Sequence, residues 1–214
     1  SREEKYVSEL QAKMCNYKDE VTGKALERIE EESYFFKMSK YQDRLIKFYT
    51  ENPQVFPDKT HHHQILKRLE EPLQDLSISR TNFDWGVPLD EGHVCYVWFD
   101  ALLNYLSGID YFGLDTNNRY HGKGKDIWQN TYHVIGKDIV WFHSVIWYSM
   151  LMALDITLPK EIIVHGFVTD KDGVKMSKTL GNVINPFDLL KDYPVDTLRA
   201  FCVRYNNIEA DTKC

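Results

Sequence analysis

The tetrapeptide Lys-Met-Ser-Lys occurs twice in this chain, and each copy places two lysines beside a hydroxyl. The sequence around the copy at residues 175–178 is typical of a ligand-binding loop. An apolar stretch at residues 162–168 precedes it, and Asp-Lys-Asp-Gly at residues 170–173 supplies a turn. The pattern predicts a strand that delivers the chain to a surface loop. Ammonium groups on such a loop suit the binding of a polyphosphate whose charge shifts during a reaction. The candidate catalytic residues are therefore Lys175, Ser177 and Lys178.

The first copy of the tetrapeptide, residues 37–40, has a different context. Its apolar neighbours are spaced as on one face of a helix, and neither a strand nor a glycine turn precedes it. We expect Met38 to pack in the core and the two lysines to lie in solvent. Four letters alone are a weak motif, and the context distinguishes the second copy.

Composition excludes several classes of protein. A chain of 214 residues with 43% apolar and 27% charged residues is typical of globular proteins. No apolar run reaches membrane-spanning length, so no membrane partner is expected. The net charge is −6, so any contact with nucleic acid must use a local basic patch.

Cysteine and histidine spacing argues against a metal centre. The four cysteines share no Cys-x-x-Cys spacing and are interpreted as reduced thiols of an intracellular protein. We expect a cytoplasmic location, with an organelle left open. Three consecutive histidines, residues 61–63, follow Asp58-Lys59-Thr60, which is typical of a helix start. Because consecutive helix positions point in different directions, we predict a polar first turn and no protein-bound metal.

The order of the elements predicts a parallel sheet. Short apolar runs indicate strands at residues 94–99, 132–135 and 161–168, and helices follow the first two. This order predicts an α/β, doubly wound parallel fold, in which ligands bind beyond the carboxyl ends of the strands. Those ends carry Asp100, Gly136 to Asp138 and residues 165–178.

Helices flank these strands in the prediction. Residues 34–52 indicate an amphipathic helix, and residues 59–76 indicate a second helix that Pro72 must kink or interrupt. Asp100 is expected to cap a helix over residues 101–107. Beyond residue 186, two further helical segments each have a proline near the start.

Several residues near the strand ends suit a ligand. Gly136 lets a backbone approach closely, and Asp138 serves as a helix cap, as an acceptor for ribose hydroxyls, or as both. A lone buried histidine such as His143 is more often a hydrogen-bonded core residue. With Trp98 and Tyr105 it could line an aromatic cup for an unbranched apolar side chain or a thioether. Spacing alone does not show that these three residues meet.

Three blocks of sequence, in order, resemble the methionyl-tRNA synthetases, a family of class I aminoacyl-tRNA synthetases. The blocks are residues 96–105, residues 133–139 with His143 and Trp147, and residues 165–168 leading to the loop at 175–179. The resemblance runs from about residue 35 to about residue 207. The loop motif alone indicates only the class, whereas the first two blocks select the methionine enzyme over its leucine, isoleucine and valine relatives.

The resemblance implies ATP-dependent activation of methionine and its transfer to tRNA(Met). The methionine carboxylate attacks the α-phosphate of ATP and releases pyrophosphate, and no side chain acts as a nucleophile. Catalysis then rests on positioning and on charge stabilisation. Mg²⁺ is expected with ATP, held largely by phosphates and water.

The resemblance also assigns roles by position. Lys178 is expected to hold the phosphates, with Lys175 and Ser177 assisting. The implied ATP-binding residues are Gly136, Asp138, His165, Gly166, Val168 and Lys178. The implied methionine-pocket residues are Trp98, Ala101, Leu102, Tyr105, Ile139, His143 and Trp147.

The chain also departs from the family's pattern. Thr179 replaces the last serine of the family's loop and keeps the hydroxyl. The His-Ile-Gly-His signature of the first half of the nucleotide-binding fold is absent, and residues 133–136 echo it without the second histidine. The anticodon-reading domain and the zinc knuckle are missing too, and the first residue is not methionine. We therefore expect a fragment that is inactive alone and whose partner is the missing upstream half of the catalytic domain.

These observations predict three parts. Residues 1–33 are expected to be the tail of the connective-peptide insertion, and residues 34–184 the second half of the Rossmann-like catalytic domain, including the phosphate loop at 175–179. Residues 185–214 are expected to begin a truncated helical stem-contact module. Two alternatives stay open: a non-catalytic fragment acting as a scaffold or interaction module, and a class I synthetase for another amino acid.

Overall fold

The structure is a computed structural model of which most of the chain after residue 31 can be described. It describes residues 12–13, 15–18, 25–26, 32–82, 84–90, 92–177, 180–205, 208 and 210–213. The predicted first part, residues 1–33, lies mostly outside these residues, as do Lys178 and Thr179 of the phosphate loop.

The described residues form short helices and short strands. The α-helices are α1 (Gln42–Glu51), α2 (Lys59–Arg68), α3 (Val97–Ser107), α4 (Gly124–Trp128), α5 (Trp147–Ala153), α6 (Pro186–Leu189) and α7 (Val195–Tyr205). The strands are β1 (Phe35–Phe36), β2 (Leu76–Ser77), β3 (Ser79–Arg80), β4 (Val94–Cys95), β5 (Tyr132–Gly136), β6 (Glu161–His165), β7 (Val168–Thr169) and β8 (Thr212–Lys213). Turns of 3₁₀-helix lie at Met38–Tyr41, Pro53–Val55 and Lys137–Ile139, and a π-helical segment spans Phe142–Ile146. Within this described part, no helix combines the length and the apolar content that crossing a membrane requires.

A parallel pair of strands positions the candidate site. β5 and β6 pair in parallel, in a register that runs from Tyr132 opposite Glu161 to Gly136 opposite His165. A parallel pair needs a long crossover, and the 3₁₀ turn, the π-helical segment and α5 supply it. The predicted strand at 132–135 is confirmed. The strand predicted over 161–168 ends at His165, and the chain resumes as β7, which pairs in parallel with β8.

The predicted strand over residues 94–99 is wrong beyond Cys95. β4 pairs antiparallel with β3 and is not hydrogen-bonded to β5 or β6, so the predicted three-stranded parallel sheet is a two-stranded pair among the described strands. α3 already begins at Val97, because a short apolar run fits a buried helix turn as well as a strand. Asp100 consequently lies in the first turn of α3. The cap position is occupied by Tyr96, so the predicted cap at Asp100 is wrong.

The helices before β4 differ from the prediction at their ends. Phe35 and Phe36 pair with β2, so the helix predicted over 34–52 begins only with the turn at Met38 and ends at Glu51. α2 ends at Arg68, four residues before Pro72, because proline is poorly tolerated within a helix. Its predicted start is confirmed, since the Asp58 carboxylate accepts a hydrogen bond from the Thr60 N–H at 2.8 Å.

The core lies between α1, α2, α3 and the crossover from β5 to β6. Its fully buried large side chains are Leu45, Tyr49, Leu69, Leu106, Val145, Trp147, Tyr148, Leu151 and Ile162. Met38 is 5% exposed and joins this core, while Lys37 and Lys40 are exposed, as predicted for the first Lys-Met-Ser-Lys copy. α6 begins with Pro186 after an Asn185 cap, and α7 follows Pro194, which confirms the predicted pair of helices.

Candidate functional site

Gly136 and His165 lie side by side at the carboxyl ends of β5 and β6. A Cβ atom at position 136 would lie 2.8 Å from Oδ1 of Asp138, so a larger residue there would make the carboxylate shift. Asp138 lies in the 3₁₀ turn directly after β5 and is about half exposed. The carboxylate therefore stands at the strand end, where a ligand can reach it.

Lys175 of the second Lys-Met-Ser-Lys copy reaches this carboxylate. Its Nζ lies 3.0 Å from Oδ2 of Asp138 and 3.8 Å from the ring centroid of Phe167. Nζ of Lys137 lies 4.4 Å from the same centroid and 2.6 Å from Oδ1 of Asp211. The strand ends thus gather two ammonium groups and two carboxylates around one aromatic ring, and such ammonium groups can bind phosphate.

The loop that carries Lys175 begins with a tight turn. The Asp170 carbonyl accepts a hydrogen bond from the Gly173 N–H at 2.9 Å, and Gly173 has a φ of 82°, in the left-handed region. This confirms the predicted turn at 170–173. The Ser177 hydroxyl accepts a hydrogen bond from the Leu180 N–H at 3.2 Å. The prediction for Lys178 falls outside the described residues.

The residues predicted to border the adenine lie at the end of β6 and directly after it. His165 is exposed and its Nδ1 donates to the Gly166 carbonyl at 2.8 Å. A Cβ at position 166 would overlap the Ala210 backbone, so the glycine lets residues 210–211 pass beside β6. Val168 is exposed at the start of β7. These residues lie on the segment that joins His165 to the Lys175 loop.

A hydrogen-bonded Tyr–His pair joins α3 to the helical segment that follows β5. Nδ1 of His143 is 3.0 Å from the Ile139 carbonyl oxygen, and Nε2 is 2.8 Å from the Tyr105 hydroxyl. Because a carbonyl oxygen can only accept, this geometry assigns the His143 proton to Nδ1. In the neutral imidazole, Nε2 then accepts a hydrogen bond from the Tyr105 hydroxyl.

A second histidine stands behind this pair. Nε2 of His133 accepts a hydrogen bond from Nε1 of Trp147 at 3.1 Å, and its ring lies 4.5 Å from the Tyr105 ring. Burial, together with the neighbouring His143, lowers the pKa of His133 to about 4. Burial also lowers the pKa of His143 and raises the pKa of Tyr105. The cluster is therefore neutral at pH 7, and it suits an apolar or weakly polar group such as a thioether.

His133 was not predicted as a site residue, although a signal was present. His133 and Ile135 are buried whereas Tyr132 and Val134 are exposed, which is the alternation of a strand with one buried face. That alternation turns His133 towards the helix that follows β5.

The remaining predicted pocket residues come from α3 and from the turn after β5. Trp98 stacks on Phe142 at 4.1 Å, one residue before His143, whereas the Tyr105 ring contacts His133, His143 and Trp147. Trp98 and Tyr105 thus both contact the helical segment that carries His143, and the cup itself stays a prediction. Leu102 is buried in the core, Ile139 is half-buried and Ala101 is exposed.

The described residues do not form a metal centre. Across them, no group of three or more histidine, cysteine or acidic side chains is placed to hold a metal ion. In the histidine run, Nε2 of His62 lies 2.8 Å from the Tyr49 carbonyl and donates to it. Among the described residues, Cys15, Cys95 and Cys202 form no disulfide, and Cys214 lies outside the described residues.

Comparisons with known proteins point to one family. The family described as tRNA synthetases class I (M) matches residues 2–214. Methionine–tRNA ligases of Halalkalibacterium halodurans and Bacillus subtilis are 45% and 46% identical to this chain over 86% of its length. A crystal structure of Mycobacterium tuberculosis methionyl-tRNA synthetase bound by methionyl-adenylate is similar with a TM-score of 0.79 and 39% identity, covering 91% of this chain and 37% of that one. The chain spans 27% of the length of the two ligases.

Proposed function

The chain belongs to the class I (M) tRNA synthetases, and from that membership we propose that it forms part of an enzyme that activates methionine with ATP and transfers it to tRNA(Met). The class I synthetase character, with mixed helices and strands, is common to this chain and to the M. tuberculosis structure. The proposed product of the first step is methionyl-adenylate, the compound to which that relative is bound.

Two contacts carry this proposal: the Lys175–Asp138 ion pair and the Tyr105–His143 hydrogen bond, since Asp138 and His143 lie on one chain segment. Asp138 and His143 lie on one segment that leaves β5, so a ligand at the strand end can contact both. Adenosine hydroxyls would bind Asp138, and an amino-acid side chain would enter the neutral pocket of Tyr105 and His143. Methionine fits this pocket because its thioether is unbranched and uncharged.

The residues assist the reaction by position and charge. The methionine carboxylate attacks the α-phosphate, and the developing negative charge is stabilised by the ammonium groups of Lys175 and Lys178 and by the Ser177 hydroxyl. Gly136, His165, Gly166 and Val168 border the nucleotide, and Trp98, Ala101, Leu102, Ile139 and Trp147 complete the methionine pocket. Mg²⁺ comes with ATP, and phosphates and water supply most of its ligands.

We extend the proposal to the arrangement of the chain. Residues 34–184 form the second half of a doubly wound, Rossmann-like domain, residues 1–33 end an insertion, and residues 185–214 begin a stem-contact module. The parallel β5–β6 pair and its helical crossover support this fold. Tyr132 and Val134 of β5 are 52% and 64% exposed, an apolar surface that the upstream half would cover. A cytoplasmic location stays a prediction.

The scaffold alternative draws on a separate observation. α7 has no buried residue among those described, and Phe187 and Val203 are 77% and 85% exposed, so the segment from α6 to α7 offers an apolar surface to a partner. A scaffold module would not require the ion pair between Lys175 and Asp138 at the end of β5. A class I synthetase for another amino acid would differ from the methionine enzyme only in its substrate, so a test with different amino acids distinguishes the two.

Tryptophan fluorescence tests the proposed pocket, because Trp147 contacts the Tyr105 ring at 6.0 Å and Trp98 stacks on Phe142 nearby. The chain is mixed with the separately expressed upstream half and titrated with methionine, and with leucine as the control. We expect a saturable change with methionine and none with leucine. Equal responses to both, or no response from halves that co-elute in size-exclusion chromatography, would contradict the proposal.

A further inference from the structure

Two side chains outside the Lys-Met-Ser-Lys motif hold the loop that contains it. Oδ1 of Asn182 accepts a hydrogen bond from the Ser177 N–H at 2.9 Å. Nδ2 of Asn182 donates to Oδ2 of Asp170 at 2.8 Å and to the Lys175 carbonyl at 3.4 Å. Asn182 therefore contacts the beginning, the middle and the end of the loop from residue 170 to residue 177.

Asp170 fastens the other side of the same loop. Its Oδ1 accepts hydrogen bonds from the Asp172 N–H at 3.0 Å and from the Val174 N–H at 2.9 Å. The hydrogen bond from Asn182 contributes most to lowering the pKa of this carboxyl. At neutral pH Asp170 is thus an acceptor alone, and it needs a donor at Oδ2.

The two partners of Asn182 make opposite demands. Asp170 requires a donor and the Ser177 N–H requires an acceptor, and a carboxamide supplies both from one group. An aspartate at position 182 would keep the acceptor but would place a second carboxylate 2.8 Å from Oδ2 of Asp170. The amide is therefore specific for this geometry, and a merely polar side chain does not replace it.

We propose that Asp170 and Asn182 are positioning residues of the phosphate loop, which fix the backbone of Lys175 and Ser177 so that the loop lysines meet the nucleotide. This inference rests on the proposed function, since it takes the loop to bind ATP. Neither residue touches the reacting atoms. Their effect passes through Lys175, whose Nζ lies 3.0 Å from Asp138, and through the Ser177 N–H.

The test is Asn182→Asp in the enzyme assembled from this chain and the upstream half, assayed by methionine-dependent ATP–pyrophosphate exchange. We expect KM for ATP to rise at least about fivefold and kcat to fall about tenfold, while KM for methionine is unchanged. Activity should recover in part as the pH is lowered, because two adjacent carboxylates then share a proton. The matched control is Asn185→Asp: Asn185 caps α6, where aspartate serves equally well, so its kinetics should stay those of the parent chain.

A charge-swapped pair separates positioning from general damage. In Asp170→Asn with Asn182→Asp, the new amide donates to the new carboxylate, so at least half of the lost exchange should return. Trypsin cleavage after Lys171 and Lys175 in the chain alone gives a second readout, faster in Asn182→Asp and slow again in the pair. Kinetics and cleavage of Asn182→Asp equal to those of Asn185→Asp would overturn the proposal. Absence of exchange in the unmodified mixture would contradict the proposed function alone, because the trypsin arm still tests the loop.

Discussion

A single backbone hydrogen bond determines which ring nitrogen of His143 carries the proton. The Ile139 carbonyl can only accept, so Nδ1 of His143 carries the proton and Nε2 accepts from the Tyr105 hydroxyl. The hydroxyl proton of Tyr105 is thereby directed at His143. The proposed methionine pocket would therefore offer a side chain neutral aromatic faces and oxygen lone pairs, which favour a thioether over a charged group.

Lys178 provides the first prediction at this scale, and it rests on the resemblance because Lys178 lies outside the described residues. In the assembled enzyme, Lys178→Ala should lower exchange at least about tenfold, equivalent to about 1.4 kcal/mol of transition-state stabilisation. Methionine binding should change little, because the lysine acts on phosphate. Lys171→Ala is the control, since Lys171 is exposed in the same loop and outside the motif. Loss of methionine affinity in Lys178→Ala would place this lysine elsewhere in the site.

His133 provides a pH prediction. Its pKa is about 4 in the folded chain and about 6.5 when unfolded, so the unfolded state binds more protons as the pH falls below 6.5. The contribution of His133 to the free energy of unfolding is therefore fully present above pH 6.5. It is lost as the pH falls from 6.5 to 4, and the loss from this residue is about 3 kcal/mol at most. In His133→Gln, the free energy of unfolding, measured with urea at pH 7.5 and at pH 4.5, should fall less between these pH values than in the parent chain.

The exposed His63 gives the matched control for that measurement. His63→Gln should leave the loss of unfolding free energy between pH 7.5 and 4.5 as it is in the parent chain. If His133→Gln and His63→Gln lose stability equally between these pH values, burial of His133 does not govern the pH dependence.

At the scale of elements, the crossover between β5 and β6 separates what the sequence predicts from what it does not. Apolar spacing predicts a helix after residue 137, and one forms. The π-helical segment inside it is not predictable from spacing, because the Trp147 N–H reaches back five residues to the Phe142 carbonyl. The partner that accommodates this segment is distant in sequence: the Tyr49 hydroxyl of α1 donates to the Ser144 carbonyl at 2.6 Å.

Tyr49→Phe tests that support. Loss of the buried hydrogen bond to the Ser144 carbonyl should lower the free energy of unfolding by about 1–3 kcal/mol, measured by urea denaturation. Tyr148→Phe is the matched control. Its ring is also fully buried and stacks 5.9 Å from the Tyr49 ring, but its hydroxyl bond to the Pro159 carbonyl is longer, at 3.3 Å. We expect a smaller loss there, and equal losses would remove the special role of Tyr49.

At the scale of the whole molecule, strand order predicts the strand-end position of the candidate site but not the contacts that support it. Strand order places Gly136, Asp138 and His165 at one edge, and the parallel pairing of β5 with β6 confirms this for Gly136 and His165. β4 does not join this parallel pair as predicted and instead pairs with β3, because a short apolar run does not specify its pairing partner. Asp170 and Asn182 act through hydrogen bonds between side chains twelve residues apart, which no local pattern encodes.

The resemblance contributed what physical reasoning from the residues alone could not. Burial and spacing indicate a neutral pocket and a phosphate-binding loop, but they do not name methionine. The family match over residues 2–214 confirms the resemblance. The division of the catalytic domain between this chain and an upstream half stays a proposal.

The most direct test of that proposal is methionine-dependent ATP–pyrophosphate exchange in three samples: this chain alone, the upstream half alone, and the two mixed after co-elution is shown. We predict exchange only in the mixture, with methionine and not with leucine. Exchange by this chain alone would contradict the division of the site, and no exchange from associated halves would favour a scaffold whose phosphate loop is idle.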